Sequence, residues 1–249
     1  MTQVAPDLLP YIPAIVLLMG VFAGAFVSSF AGFAFAPIAG VALLYFYPYK
    51  TVVPLLMLCS VLGQVTTLIY LRRSVIWKSV GPMLAGGAAG VSLAILLFAG
   101  INARAFQTGF GLFLAIYSLF MLWRPHLMLK DVSTPARDIV VGFAGGVIGG
   151  FTAMPGAVPV IYCDLRGCSK EVQRATVQPF ILAMQVLAIT LFFVHGDIGD
   201  EVIGGLLLAT PALAAGVAVG LLLFGRVPDA RFRQAVLGLL LITGIALAF

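Results

Sequence analysis

The charged residues of this chain fall in short clusters, and the stretches between them are apolar runs of roughly 20 residues, the length at which a helix crosses the hydrocarbon core of a bilayer. Six such runs are plain: 51–71, 79–98, 105–123, 175–194, 202–224 and 232–249. A water-soluble globule of 249 residues could not cover them, since 62% of the residues are hydrophobic and 9% charged, where an ordinary soluble domain has about 25% charged. Backbone in lipid must satisfy its own hydrogen bonds, and helices do so within one segment. The chain is therefore expected to be an all-α polytopic membrane protein with no soluble catalytic domain. Its net charge of +5 sits in loop clusters, which orient a membrane protein and give no reason to invoke nucleic acid. Residues 1–10 contain no Lys or Arg, so the basic region of a secretory signal is missing and the first apolar segment is expected to be retained. Cys59, Cys163 and Cys168 form no metal-ligand constellation and read as reduced thiols.

Two stretches do not fit a single crossing. Residues 11–47 would make one helix of about 55 Å, yet they are short for two spans of about 30 Å. Ser28, Ser29, Phe30, Ala31 and Gly32 are the expected break. In 138–163 the residues Gly149, Gly150, Pro155, Gly156 and Pro159 crowd the centre, where Gly weakens a helix and Pro removes a donor. Both stretches read as hairpins of short helices. The positive-inside rule supports this: if both stretches turn back, twelve of the 14 basic residues fall on one side and only Lys50 and Arg104 on the other. Single crossings would leave six against eight, which orients nothing. The hairpin topology puts both termini outside, 1–10 included, and the linker 124–137 in the cytoplasm.

The two halves repeat. Thr51-Val52-Val53-Pro54 matches Thr176-Val177-Gln178-Pro179 at an offset of 125, Gly90-Val91 matches Gly216-Val217 at 126, and Ala103-Arg104 with Gln107 matches Ala230-Arg231 with Gln234 at 127. Repeat 1 (11–123) is hairpin 11–47 plus spans 51–71, 79–98 and 105–123; repeat 2 (138–249) is hairpin 138–163 plus spans 175–194, 202–224 and 232–249. Three crossings per half make the second half enter from the opposite side. Two inverted-topology repeats, each a broken-helix hairpin plus three transmembrane helices, are an arrangement typical of secondary transporters, with substrate near the midplane.

Each half also begins with a Gly- and Pro-rich motif, Ser29-Phe30-Ala31-Gly32-Phe33-Ala34-Phe35-Ala36-Pro37 and Gly149-Gly150-Phe151-Thr152-Ala153-Met154-Pro155-Gly156. With its size and two homologous halves, the chain resembles the sulfite exporter TauE/SafE family of membrane permeases over nearly its whole length. The resemblance implies transport, usually export, of small sulfur-containing anions such as sulfite, sulfonates or related organic anions across the cell inner membrane.

An anion site inside lipid needs positive potential without the cost of a buried Lys or Arg. The returning helix of each hairpin begins at the tip, so its free N–H groups and positive dipole end supply it. Ser28, Ser29 and Thr152 are expected to add hydroxyls, Phe30 and Phe151 to line the site, and Gly32, Phe33, Gly149, Gly150, Met154 and Pro155 to shape the tips. The following spans contribute Ser60, Gln64, Gln178 and Gln185, with Ser60 and Gln185 equivalent at the offset of 125. A mid-membrane Gln amide is costly to leave bare and so demands a partner. The bland readings are packing for the Gly-rich tips and bonding to its own helix for Ser60. His126 and His195 are expected to be solvated in loops. No buried Asp or Glu is expected to carry protons. Gly86 with Gly90, and Gly216 with Gly220, favour close helix contact, packing the halves together or, as the alternative, forming a homodimer. No cofactor, metal or catalytic group is called for. A passive anion channel and a membrane-embedded lipid-phosphate enzyme are the competing classes, and the second lacks the base and cationic clamp that its chemistry needs.

Overall fold

A computed structural model describes residues 11–31, 34–71, 77–123, 134–223 and 229–249. Among them the chain forms ten α-helices: α1 (Ile12–Ala31), α2 (Phe35–Leu43), α3 (Tyr49–Leu71), α4 (Trp77–Phe98), α5 (Ala103–Trp123), α6 (Pro135–Thr152), α7 (Ala157–Leu165), α8 (Lys170–His195), α9 (Asp200–Leu223) and α10 (Asp229–Ala248). Five contain stretches long and apolar enough to cross a membrane, in α1, α4, α5, α8 and α9, while the apolar stretches found in α3 and α10 are shorter.

Sequence signals fix several ends. Thr134 caps α6 by accepting from the Arg137 N–H, with Pro135 in the first turn, and Ser169 caps α8 by accepting from the Val172 N–H at 3.3 Å. Gly196, at φ 77°, closes α8 in the left-handed conformation that a glycine takes without a Cβ penalty. Pro54, Pro82, Pro179 and Pro211 lie inside helices, as membrane helices tolerate when neighbouring groups satisfy the freed carbonyls.

The two irregular stretches do turn back on themselves. Gly20 and Gly24 of α1 face Ala39 and Phe35 of α2, and Gly145 and Gly149 of α6 face Pro159 and Pro155, so each pair runs antiparallel. The expectation of two short helices per hairpin is corrected. The first helix is long, 20 residues in α1 and 18 in α6, and only the returning helix is short, nine residues or about 13 Å. Helix α1 continues through Ser28 and Ser29 to Ala31, and the Ser29 hydroxyl donates back to the Ala25 carbonyl at 2.9 Å within the helix. Likewise Gly149 and Gly150 remain helical, and the break comes after Thr152, where Ala153 takes φ 57°.

Small residues set the closest approaches. A Cβ on Gly142 or Gly146 of α6 would collide with the carbonyls of Met83 and Gly87 on α4, and one on Gly86 or Gly90 with those of Ile139 and Phe143. Gly216 and Gly220 of α9 meet Phe22 and Ser29 of α1, and Gly111 of α5 meets Gly244 of α10. Such backbone-to-backbone contact is how helices associate where lipid removes the hydrophobic incentive. The aromatic core centres on Phe98, in edge contact with Tyr49 and Phe192 at 5.1 and 5.0 Å. The absence of a buried acid is also corrected: Asp138 is 2% exposed in the first turn of α6, where the helix dipole favours negative charge.

Candidate functional site

Helices α3 and α8 approach each other between the two hairpins, and their mid-helix polar residues form one hydrogen-bonded network. The Gln185 amide nitrogen donates to the Ser60 hydroxyl at 3.0 Å and to the Ala153 carbonyl at 3.2 Å. The Gln64 amide nitrogen donates to Ser60 at 3.0 Å and to Gln185 Oε1 at 2.9 Å.

One acceptor fixes the polarity of this network. A backbone carbonyl only accepts, so Ala153 turns the Gln185 nitrogen towards itself and the Gln185 oxygen towards Gln64, which must then present its own nitrogen. Both hydrogens of each amide are thereby committed. Ser60 Oγ accepts twice, and its own hydrogen has no acceptor among the described residues. Ala153 holds its carbonyl at this point because it caps α6, with its N–H bonded to Gly149 at 2.8 Å. A left-handed alanine costs roughly 1–2 kcal/mol, and this one lies at the tip of the second hairpin, beside the site.

Two adjoining narrow clefts open at Ser60, with about 230 and 280 Å³ of space between atoms when the open solvent at their mouths is counted. Ser28, Phe35, Ser60 and Gln64 line both. The first adds Ser29, Cys59 and residues of α9, and the second adds Met154, Pro155, Gly156, Ala157 and Gln185. The starts of α2 and α7 thus both face the space, and neither carries a side-chain cap. Each has proline as its third residue, Pro37 and Pro159, which removes one of the N–H groups that a first turn leaves free. No Asp, Glu, Lys, Arg or His lines either cavity. Positive potential here comes from helix ends and dipoles.

The expected site residues divide. Ser28, Ser29, Ser60, Gln64, Met154, Pro155 and Gln185 surround the cavities. Thr152 does not line them, and its hydroxyl donates back to the Ile148 carbonyl at 2.7 Å. Gly149 packs under Pro155, Gly150 lies against Ala94 of α4, and Phe151 is half-buried against the core. Gln178 is buried on α8 outside the lining, with its Oε1 unpartnered among the described residues. Gly32, Phe33 and the Phe30 side chain lie outside what is described, as does His126. His195 ends α8 exposed, its ring hydrogen-bonded to the Leu191 carbonyl. Sequence reasoning missed the Ala153 carbonyl and the α9 side chains Leu213 and Val217; a backbone acceptor at a turn and an apolar wall leave no residue-type signal.

The family model for the sulfite exporters TauE/SafE matches residues 16–247. This chain belongs to that family. No curated protein and no solved structure matches it. As a TauE/SafE protein it is a multi-pass membrane transporter and not an enzyme, and its family implies anions such as sulfite as substrates. The cavity between the hairpins is lined by uncharged side chains.

Proposed function

We propose that this transporter exports sulfite or a closely related small sulfur oxyanion by alternating access, holding it between the two hairpin tips at Ser60. The observation that carries the proposal is the Ser60 hydroxyl, which accepts from two glutamine amides and finds no acceptor for its own hydrogen among the described residues. Ser60 donates directly to the anion, with Ser28 beside it, and the uncapped start of α2 adds N–H groups, whereas the first N–H of α7 is taken by the Met154 carbonyl at 3.2 Å. Gln64 and Gln185 position Ser60. This shifts Gln185 from the direct donor that its mid-membrane place suggests to a supporting role.

An inverted repeat, α1–α5 against α6–α10, supports alternating access. The helix lengths run 20, 9, 23, 22, 21 and then 18, 9, 26, 24, 20 residues. The main packing partners persist when the halves are exchanged: α4 with α6 becomes α9 with α1, α4 with α8 becomes α9 with α3, and α5–α10 and α3–α8 map onto themselves. Ser60 and Gln185, equivalent at the offset of 125, touch each other, as residues near a pseudo-two-fold axis do. Equivalent halves that rock about a fixed site are the usual basis of alternating access. The inside-negative potential drives an anion outward by about 2.3 kcal/mol per charge per 100 mV, so export requires no coupled proton.

Sulfite flux from proteoliposomes tests the reading. A carrier gives flux that saturates with internal sulfite and accelerates with inside-negative potential. Flux linear in sulfite to high concentration would identify a channel, and flux no greater than in empty liposomes would remove sulfite as the substrate.

A further inference from the structure

The end of α7 farthest from the cavity carries a second pair of chemically capable side chains. Helix α7 closes with Gly167 at φ 65°, the Gly167 N–H on the Asp164 carbonyl at 3.0 Å and the Cys168 N–H on the Cys163 carbonyl at 3.0 Å. This is the Schellman pattern, in which the residue after the left-handed glycine is bonded back across the last turn and its side chain meets the one three places before the cap. Those two positions normally hold an apolar contact. Here both are cysteine, and both are free. Cys163 is buried at 2% exposure, whereas Cys168 is half-buried.

We propose that Cys163 and Cys168 are a reversible dithiol site, closing to a disulfide in exchange with a low-molecular-weight disulfide such as oxidised glutathione. The Cys168 thiol, losing its proton to water, attacks one glutathione sulfur; a mixed disulfide forms and one glutathione thiolate leaves. The Cys163 thiol, also deprotonated, then attacks the Cys168 sulfur and expels the second. Two protein thiols are oxidised and one glutathione disulfide is reduced to two thiols. A turn this tight, with one sulfur only half-buried, favours the labile class of disulfide over the structural one. Closure ties the end of α7 to the residue before Ser169, the cap of α8. Because α7 begins at the cavity with Gly156 and Ala157, the bond restrains the second hairpin against α8 and slows transport. That last step rests on the cavity being the anion site.

The test equilibrates the purified full chain in glutathione buffers of graded poise, alkylates the remaining thiols and reads masses. The expected result is loss of two hydrogens on the peptide joining Cys163 to Cys168, restored by dithiothreitol, with Cys59 unchanged. Cys163→Ser should instead accumulate a glutathione adduct on Cys168. Thiols free at every poise, or a persistent adduct in the unaltered chain, would overturn the proposal and leave a packing contact only. In proteoliposomes, sulfite flux should fall several-fold on oxidation of the unaltered chain and stay unchanged in Cys163→Ser. Closure with equal flux would overturn the coupling to transport, whereas absence of flux from the reduced protein would point to the transport reading itself.

Discussion

Gln185→Leu probes the polar network without adding a charge or much volume. The substitution deletes three hydrogen bonds, to Ser60 at 3.0 Å, to Ala153 at 3.2 Å and from Gln64 at 2.9 Å. Interhelical hydrogen bonds within membrane proteins average about 0.6 kcal/mol, which gives roughly 2 kcal/mol for the three together. The Ala153 carbonyl is also left without its side-chain donor, and an unsatisfied buried acceptor costs about 1–3 kcal/mol. The expected loss is therefore about 3 kcal/mol, since leucine regains part of it by burying apolar surface at a position 2% exposed. Ser60 keeps its hydroxyl but loses one of the two donors that aim it, so anion binding weakens by roughly one decade, short of what losing a charge-assisted hydrogen bond outright would cost. Equilibrium unfolding in detergent gives the first quantity, and anion-dependent thermal stabilisation gives the second. Unchanged stability in Gln185→Leu would mean that the network does not form.

The helix contacts and the topology make separate predictions. Gly146→Leu should abolish folding or cost at least several kcal/mol, because its Cβ would fall on the Gly87 carbonyl of α4 and the two backbones would have to part; Gly238→Leu, where a Cβ meets nothing within 4 Å, should express and melt normally. Size-exclusion and melting profiles distinguish them. In a Cys168→Ser background, which removes the half-buried thiol, Gly199→Cys should react with an impermeant reagent from outside the cell and Ala136→Cys only after permeabilisation. Both positions are exposed, so labelling from the same side would contradict the two-hairpin topology.

What could be read in the sequence follows from which forces are local. Apolar run length depends on the bilayer alone, and α4 and α5 begin within two residues of the starts expected for their spans. The hairpin positions were legible from glycine and proline, but their proportions were not. Glycine weakens a helix by about 1 kcal/mol, and at Gly142, Gly146 and Gly150 contact with α4 outweighs that penalty, so α6 runs on to Thr152. Ser29 and Thr152 look like site donors by type, yet each hydroxyl finds a carbonyl four residues back in its own helix. The pairing of Ser60 with Gln185 was foreshadowed by their equivalence in the repeat. The polarity of that pairing was not, because it is set by the Ala153 carbonyl, and every residue has a carbonyl. Asp138 shows the reverse case: a charge at the edge of a segment is expected to be solvated, but its helix packs closely on α4 and buries it.

Sulfite binding to Ser60→Ala, set beside the unaltered chain, tests the central claim most directly. The substitution removes one hydroxyl whose hydrogen has no acceptor among the described residues, and a hydrogen bond to a charged group contributes about 1.5–3 kcal/mol. Thermal stabilisation of the purified proteins across a sulfite titration should place the Ser60→Ala dissociation constant one to two decades higher, with maximal flux in proteoliposomes recovered only at correspondingly higher sulfite. Equal affinity in two folded proteins would show that the anion binds elsewhere and that the Ser60 network is structural.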